Sequence, residues 1–172
     1  LKTDDKKISL EDMNGAIEHF NGLTYMQEVP IYSAVKVNGK KLYDYARSNE
    51  DVILPKKEVT IYKLELVSFE DEVKIKCKVS KGTYIRALIR DICAYLGTYG
   101  VMTDLVRTKL GDYDISDAYS LDEISDGTYK LYSLEDIFDL DVRYINDDNH
   151  KRIYNGNIVK DKNSNYILYK DG

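Results

Sequence analysis

The chain has 172 residues, 43% of them hydrophobic and 32% charged, with a formal net charge of −5. That is enough apolar material for one packed domain, or one domain and an appendage, and the acidic total excludes a protein that coats nucleic acid by bulk charge. No stretch approaches the roughly 18 consecutive apolar residues a membrane helix needs, and the polar opening LKTDDKKISL holds no apolar signal-peptide core.

In chain order, Ser9 with Asp12 three residues on is a capping-box pattern, and Leu10, Met13, Ile17 and Phe20 follow at helical spacing. Gly22 is placed to end that helix. The stretch EVPIYSAVKVNGKKLYDYARSNEDVILP carries mixed signals. Ile31 to Val37 reads as extended, Asn38-Gly39 as a tight turn, and Lys41 to Arg47 as two helical turns. Bracketed by Pro30 and Pro55, it is expected to be a long excursion from the core, with little apolar material and mobile when unliganded.

Residues 58 to 69 favour a strand. After the acidic turn at 70–72, Val73, Ile75, Cys77 and Val79 alternate with Lys74, Lys76 and Lys78, the pattern of a half-buried strand with one wet cationic face. A hairpin is expected. Thr83 then reads as the cap of a helix striped by Ile85, Leu88, Ile89, Ile92 and Leu96 and closed by Gly97. VMTDLVRTKLG is a further strand candidate, and SLDEI and SLEDIF each begin a short helix on Ser with an acid three residues later. From Asp141 the pattern changes to a short strand, a polar helical turn ending in YNGN, then Ile158-Val159 and YILYKDG, the opening of a small β-rich domain.

Cys77 and Cys93 lack a CxxC spacing and sit among apolar neighbours, as reduced buried thiols do. His19 and His150 flank no ligand pattern, so no metal site is expected. The charge is unevenly spread. Six Lys or Arg and no acid lie between Lys74 and Arg90, whereas six acids and no Lys or Arg lie between Gly111 and Tyr129. Lys81 precedes a helix start and joins Arg86 and Arg90, which share a helix face, in a group that could hold a phosphate; a solvated lysine face is the plain alternative. Tyr25, Tyr32, Tyr43 and Tyr45 lie among Lys36, Lys40, Lys41 and Arg47. Aromatics interleaved with cations suit unpaired bases, and half-buried packing suits the same tyrosines equally well.

Three motifs resemble the bacterial tRNA pseudouridine synthases of the TruB family: VPIYSAVKVNGKKLYDYAR (29–47), SKGTYIRALIRDI (80–92) and LVRTKLGDYDISDAYSLDEI (105–124). The resemblance implies an α/β fold of the α+β type, with a mixed, largely antiparallel sheet and flanking helices. That sheet is incomplete over residues 1–139, with an RNA-gripping thumb loop at about 25–50. The start of a PUA-like RNA-binding domain follows at 140–172. It implies conversion of uridine to pseudouridine at position 55 of the tRNA T-loop, by base flipping and with neither metal nor cofactor. Carried over, Arg86 is the pocket arginine that pairs with the catalytic aspartate, Tyr84 lines the pocket and Leu105 stands against the target base. The RNA-binding residues are Tyr32, Lys36, Lys40, Lys41, Tyr43, Arg47, Lys81, Arg90 and Arg107.

The family's Gly-Thr-Leu-Asp-Pro segment, which bears the nucleophilic aspartate, does not occur; the only Gly-x-x-Asp is GDYD at 111–114. With a first residue other than Met, the chain is expected to be a C-terminal fragment of a cytoplasmic enzyme, inactive alone and inclined to self-associate through an open sheet edge. The rival reading is a non-catalytic RNA-binding module of the same fold. A guide-dependent synthase fits less well, because NGKKLYDYAR matches the stand-alone bacterial enzymes.

Overall fold

The computed structural model describes residues 6–138, 140, 142–145, 147–155, 157 and 167–170. They belong to two compact units, residues 1–106 and 107–172. The class is α+β, as the resemblance implies.

The first unit begins with helix α1, Leu10–Phe20. Its capping box forms as expected: the Asp12 N–H donates to Ser9 Oγ, and the Ser9 N–H donates to the Asp12 carboxylate. The Ser9 hydroxyl, donating to Asp12 Oδ2 at 2.6 Å, and then the Ser9 N–H hold the Asp12 carboxyl below its ordinary pKa. A three-stranded antiparallel sheet follows, in the order β1 (Thr24–Glu28), β4 (Lys56–Phe69), β5 (Val73–Val79). Between β1 and β4 lie the two-residue strands β2 (Lys36–Val37) and β3 (Lys40–Lys41) and helix α2 (Leu42–Ser48). Asn38 and Gly39 both have positive φ, 51° and 81°, the turn an Asn-Gly dipeptide favours in a hairpin.

Strict alternation cannot place Ile61, Leu64, Leu66 and Phe69 on one face of a strand, since 61 and 64 are an odd number apart. The β4–β5 ladder solves this with two register shifts, between Ile61 and Lys63 and between Leu66 and Ser68. The extra residues, Tyr62 and Val67, turn outward and are exposed. Each bulge restores the apolar set to the same side. The N–H of Leu64, beside the first bulge, donates to Asn21 Oδ1 at 2.9 Å.

That side of the sheet is covered by α1 and by α3 (Ile85–Leu96). Met13, Ala16 and Phe20 meet Ile61, Leu64, Leu88, Ile92 and Leu96 in one core, with Ile75, Cys77 and Val79 packed around it. Lys74, Lys76 and Lys78 point the other way and are exposed, as their alternation requires. Gly97 closes α3 at φ +68°, and the Lys6 ammonium donates to the carbonyl of Leu96, the last residue of the helix.

Two expectations change here. Thr83 does not cap α3. Its hydroxyl donates to the Ser80 carbonyl at 2.9 Å, holding the turn, and the cap residue is Tyr84, which makes no side-chain cap bond. The excursion is folded rather than loose: Leu42 is fully buried, Val29 and Ser33 are buried, and Leu42 N–H donates to the Val35 carbonyl. One leucine facing inward from α2 supplies the anchor that composition alone did not reveal.

The second unit holds a hairpin of β6 (Lys109–Leu110) and β7 (Tyr113–Asp114), a turn of 3-10 helix at Ile115–Asp117, and helices α4 (Leu121–Ser125) and α5 (Leu134–Ile137). Both SLxx segments form capping boxes. The strand expected over 101–111 is reduced to β6, because only Lys109 and Leu110 pair, with Asp114 and Tyr113 across the turn at Gly111. Strand β8 (Val142–Ile145), helix α6 (Asp147–Tyr154) and β9 (Ile167–Lys170) follow, with β8 and β9 parallel. The expected strand at Ile158-Val159 lies outside the described residues. Residues 107–138 of this unit are all exposed. No helix among the described residues is long and apolar enough to cross a membrane.

Candidate nucleic-acid interface and pocket

The candidate site grows from the end of β5. Ser80 ties the strand to β4 twice: its N–H donates to the Thr60 carbonyl at 2.9 Å, and its hydroxyl accepts from the Thr60 N–H at 2.9 Å. Gly82 then takes φ +86°, which a side chain would resist. The space its Cβ would fill is occupied by the end of the Lys57 side chain, reaching over from β4. The turn delivers Tyr84 and Arg86 at the start of α3.

Arg86 is exposed, and its Nη2 donates to the backbone carbonyl of Tyr32 at 2.9 Å. A guanidinium carries five N–H donors, so most of them remain open toward solvent. Tyr32 is itself 61% exposed. Arg90, one turn further along α3, is held differently. Its Nη1 meets Glu28 Oε1 at 3.2 Å, Nη2 the Glu28 carbonyl at 3.2 Å, and Nε the Asp91 carboxylate at 2.9 Å. Two acids therefore offset Arg90 before any phosphate arrives.

A second cluster lies on the β2–β3 hairpin and α2. Tyr43 is flanked by two cations, with Lys41 Nζ and Arg47 Cζ each 5.3 Å from its ring centre. Lys41 also donates to the Tyr43 hydroxyl at 3.0 Å. Lys40 sits over the Tyr45 ring at 4.7 Å and pairs with Glu50 at 2.6 Å. The Lys40 and Ser48 bonds hold the Glu50 carboxyl below its ordinary pKa. Lys36 and Lys81 are exposed and take no partner among the described residues. A groove of about 380 Å³ separates Ile31-Tyr32 from the Tyr45–Asp51 segment. Glu50 and Asp51 line it, so it disfavours a phosphate.

Of the residues picked from sequence, Tyr84, Arg86, Arg90 and Tyr32 gather at the start of α3. Lys40, Lys41, Tyr43 and Arg47 gather on β3 and α2. Leu105 is 52% exposed on an irregular stretch, its N–H donating to the Asp104 carboxylate at 2.7 Å. Arg107 opens the second unit and is exposed. No hydrogen bond, ion pair or ring contact joins Leu105 to either cluster among the described residues. Tyr25 faces inward, meeting Phe20 edge to face at 6.0 Å and donating to Asp91 at 2.9 Å, which fits the packing alternative. Lys57, Gln27 and Glu28 escaped notice in sequence because each reaches the site only in the folded unit, Lys57 over Gly82, Gln27 to Tyr84 and Glu28 to Arg90, whereas Asp91 adjoins Arg90 in the chain.

The family model "TruB family pseudouridylate synthase (N terminal domain)" matches residues 1–85, and "tRNA pseudouridylate synthase B C-terminal domain" matches residues 86–145. The chain is 39% identical to tRNA pseudouridine synthase B of Caldanaerobacter subterraneus, over 89% of this chain and 54% of that protein. It is 45% identical to the Mycoplasma capricolum protein of the same name, over 69% and 41%, and 35% identical to that of Mesoplasma florum, over 95% and 58%. The chain thus spans about half the length of the curated relatives it matches. On two adjoining family models and these relatives, the chain belongs to the TruB family of pseudouridylate synthases.

Proposed function

We propose that this chain forms part of a cytoplasmic enzyme that isomerises uridine 55 in the T-loop of tRNA to pseudouridine. The observation that carries the proposal is the Ser80–Arg86 turn, which sets an exposed arginine and a tyrosine beside the Tyr32 segment. The cationic, tyrosine-bearing hairpin and α2 follow directly in the chain. In this reading the target nucleotide is flipped from its stack. The C1′–N1 bond breaks, the base turns, and C1′ joins C5, with the C5 proton lost and N1 protonated. Nothing is oxidised or reduced, which agrees with a reaction that uses no cofactor.

Arg86 pairs in this reading with a catalytic aspartate, its open N–H donors meeting the carboxylate and favouring the ionised form. Tyr84 lines the pocket and Leu105 meets the base. Tyr32, Lys36, Lys40, Lys41, Tyr43, Arg47, Lys81, Arg90 and Arg107 contact RNA. The 172 residues contain no Gly-Thr-Leu-Asp-Pro segment, so the chain by itself is inactive and its carboxylate comes from elsewhere. Residues 140–172 open a PUA-like domain. Strands β1 and β5, each with one unpaired edge among the described residues, provide a route to self-association.

The test is pseudouridine formation on an unmodified tRNA transcript, by this chain and by the enzyme that contains it. Product from the longer enzyme alone supports the reading. Salt-sensitive tRNA binding with no product from either protein favours a non-catalytic RNA-binding module instead.

A further inference from the structure

Gln27 is 1% exposed, the most deeply buried polar side chain among the described residues. Its place in β1 faces the interior, between the inward residues Tyr25 and Val29, where an apolar residue would ordinarily stand. A buried carboxamide is tolerated only if both of its ends are paired. Here both are. Oε1 accepts from the backbone N–H of Tyr84 at 2.9 Å, and Nε2 donates to the Tyr25 hydroxyl at 2.9 Å.

The direction of every bond in this chain follows from its ends. The Tyr84 N–H can only donate, so the carbonyl end of Gln27 must face it and the amino end must face Tyr25. Tyr25 must then give its own proton away, and it does, to Asp91 Oδ2 at 2.9 Å. Asp91 Oδ1 in turn accepts from Arg90. A directed row of hydrogen bonds thus runs from the cap residue of α3 to Asp91, about two helical turns along it. The cap residue makes no side-chain cap bond of its own, so Gln27 supplies from a neighbouring strand the acceptor that orients it.

We propose that Gln27 is a positioning residue for the pocket, fixing Tyr84 and, through the first turn of α3, the place where the Arg86 guanidinium stands. Its catalytic consequence rests on the function proposed above. The geometric consequence does not. Gln27 touches neither RNA nor the reacting atoms in this account, so its removal acts on the chemical step rather than on affinity.

The test compares Gln27→Met, which fills a similar volume without hydrogen bonds, with Gln27→Glu, which keeps an acceptor toward Tyr84. Amide hydrogen exchange is followed in this chain. Single-turnover pseudouridine formation and tRNA affinity are followed in the enzyme that contains it. Gln27→Met is expected to speed exchange at Tyr84 about tenfold or more. It is also expected to slow the single turnover by a similar factor, with tRNA affinity within about twofold. Gln27→Glu is expected to restore Tyr84 protection. Tyr84 exchange within about twofold of wild type in Gln27→Met overturns the proposal. So does a loss spread evenly over all of β1 and α3, because that is general destabilisation. If the wild-type enzyme forms no pseudouridine, the functional reading falls, while the exchange result still decides the role of Gln27.

Discussion

Arg86 donates from Nη2 to the backbone carbonyl of Tyr32 at 2.9 Å, across 54 residues of sequence. A carbonyl is a weak partner for a guanidinium compared with a carboxylate. The bond therefore holds the arginine in place without neutralising it. Arg86→Lys keeps the charge and loses the planar fork. In the enzyme that contains this chain, Arg86→Lys should lower single-turnover pseudouridine formation about a hundredfold or more. The exposed position should keep the folding free energy of the variant within about 1 kcal/mol of wild type. A urea melt beside the activity assay separates the two effects.

Leu88 and Leu42 are both 0% exposed, and they report on different parts of the first unit. Leu88 belongs to the core between the sheet and its two helices. Leu88→Ala should cost about 2–5 kcal/mol in a urea unfolding measurement. Leu42 anchors α2. Leu42→Ala should raise amide exchange across the β2–β3 hairpin and α2 well before it affects β4 and β5.

Tyr25 gives a prediction in alkaline solution. Burial pushes its phenol up to about 12, with the Asp91 carboxylate adding to the rise and the Gln27 bond opposing it. A phenol whose pKa is higher folded than unfolded stabilises the fold while both states are protonated. That contribution is present below about pH 10, the unfolded value, and is lost as pH rises toward about 12. The stability difference between wild type and Tyr25→Phe should be flat from neutral pH to about 10 and shrink above it. A difference unchanged up to pH 12 would remove Tyr25 as the cause.

Cys77 faces the core from β5, and burial raises its thiol pKa. The thiolate is the reactive form, so alkylation by iodoacetamide at neutral pH should lag a small model thiol by about tenfold or more. Mass spectrometry of the Cys77 peptide over time measures this. Denaturant should abolish the lag.

Some of this architecture is local enough to read from sequence. The capping boxes at Ser9, Ser120 and Ser133 need only a hydroxyl and an acid three residues apart, and the Asn38-Gly39 turn needs only two residues tolerant of positive φ. The lysine row of β5 declared its own alternation. That Arg86 and Arg90 share a face followed from helical spacing, and the family motif pointed to Tyr84 on the same turn. Tertiary pairing decided the rest. The bulges at Tyr62 and Val67 exist because the ladder with β5 must keep Ile61, Leu64, Leu66 and Phe69 on one face. Nothing in VSKGTYIR predicts that Gln27 would hold the Tyr84 N–H, or that Glu28 would meet Arg90. Those bonds join residues that are distant in sequence. Buried polar groups take whichever partner the packed fold brings within reach, and only the packing of β1 against α3 brings these together.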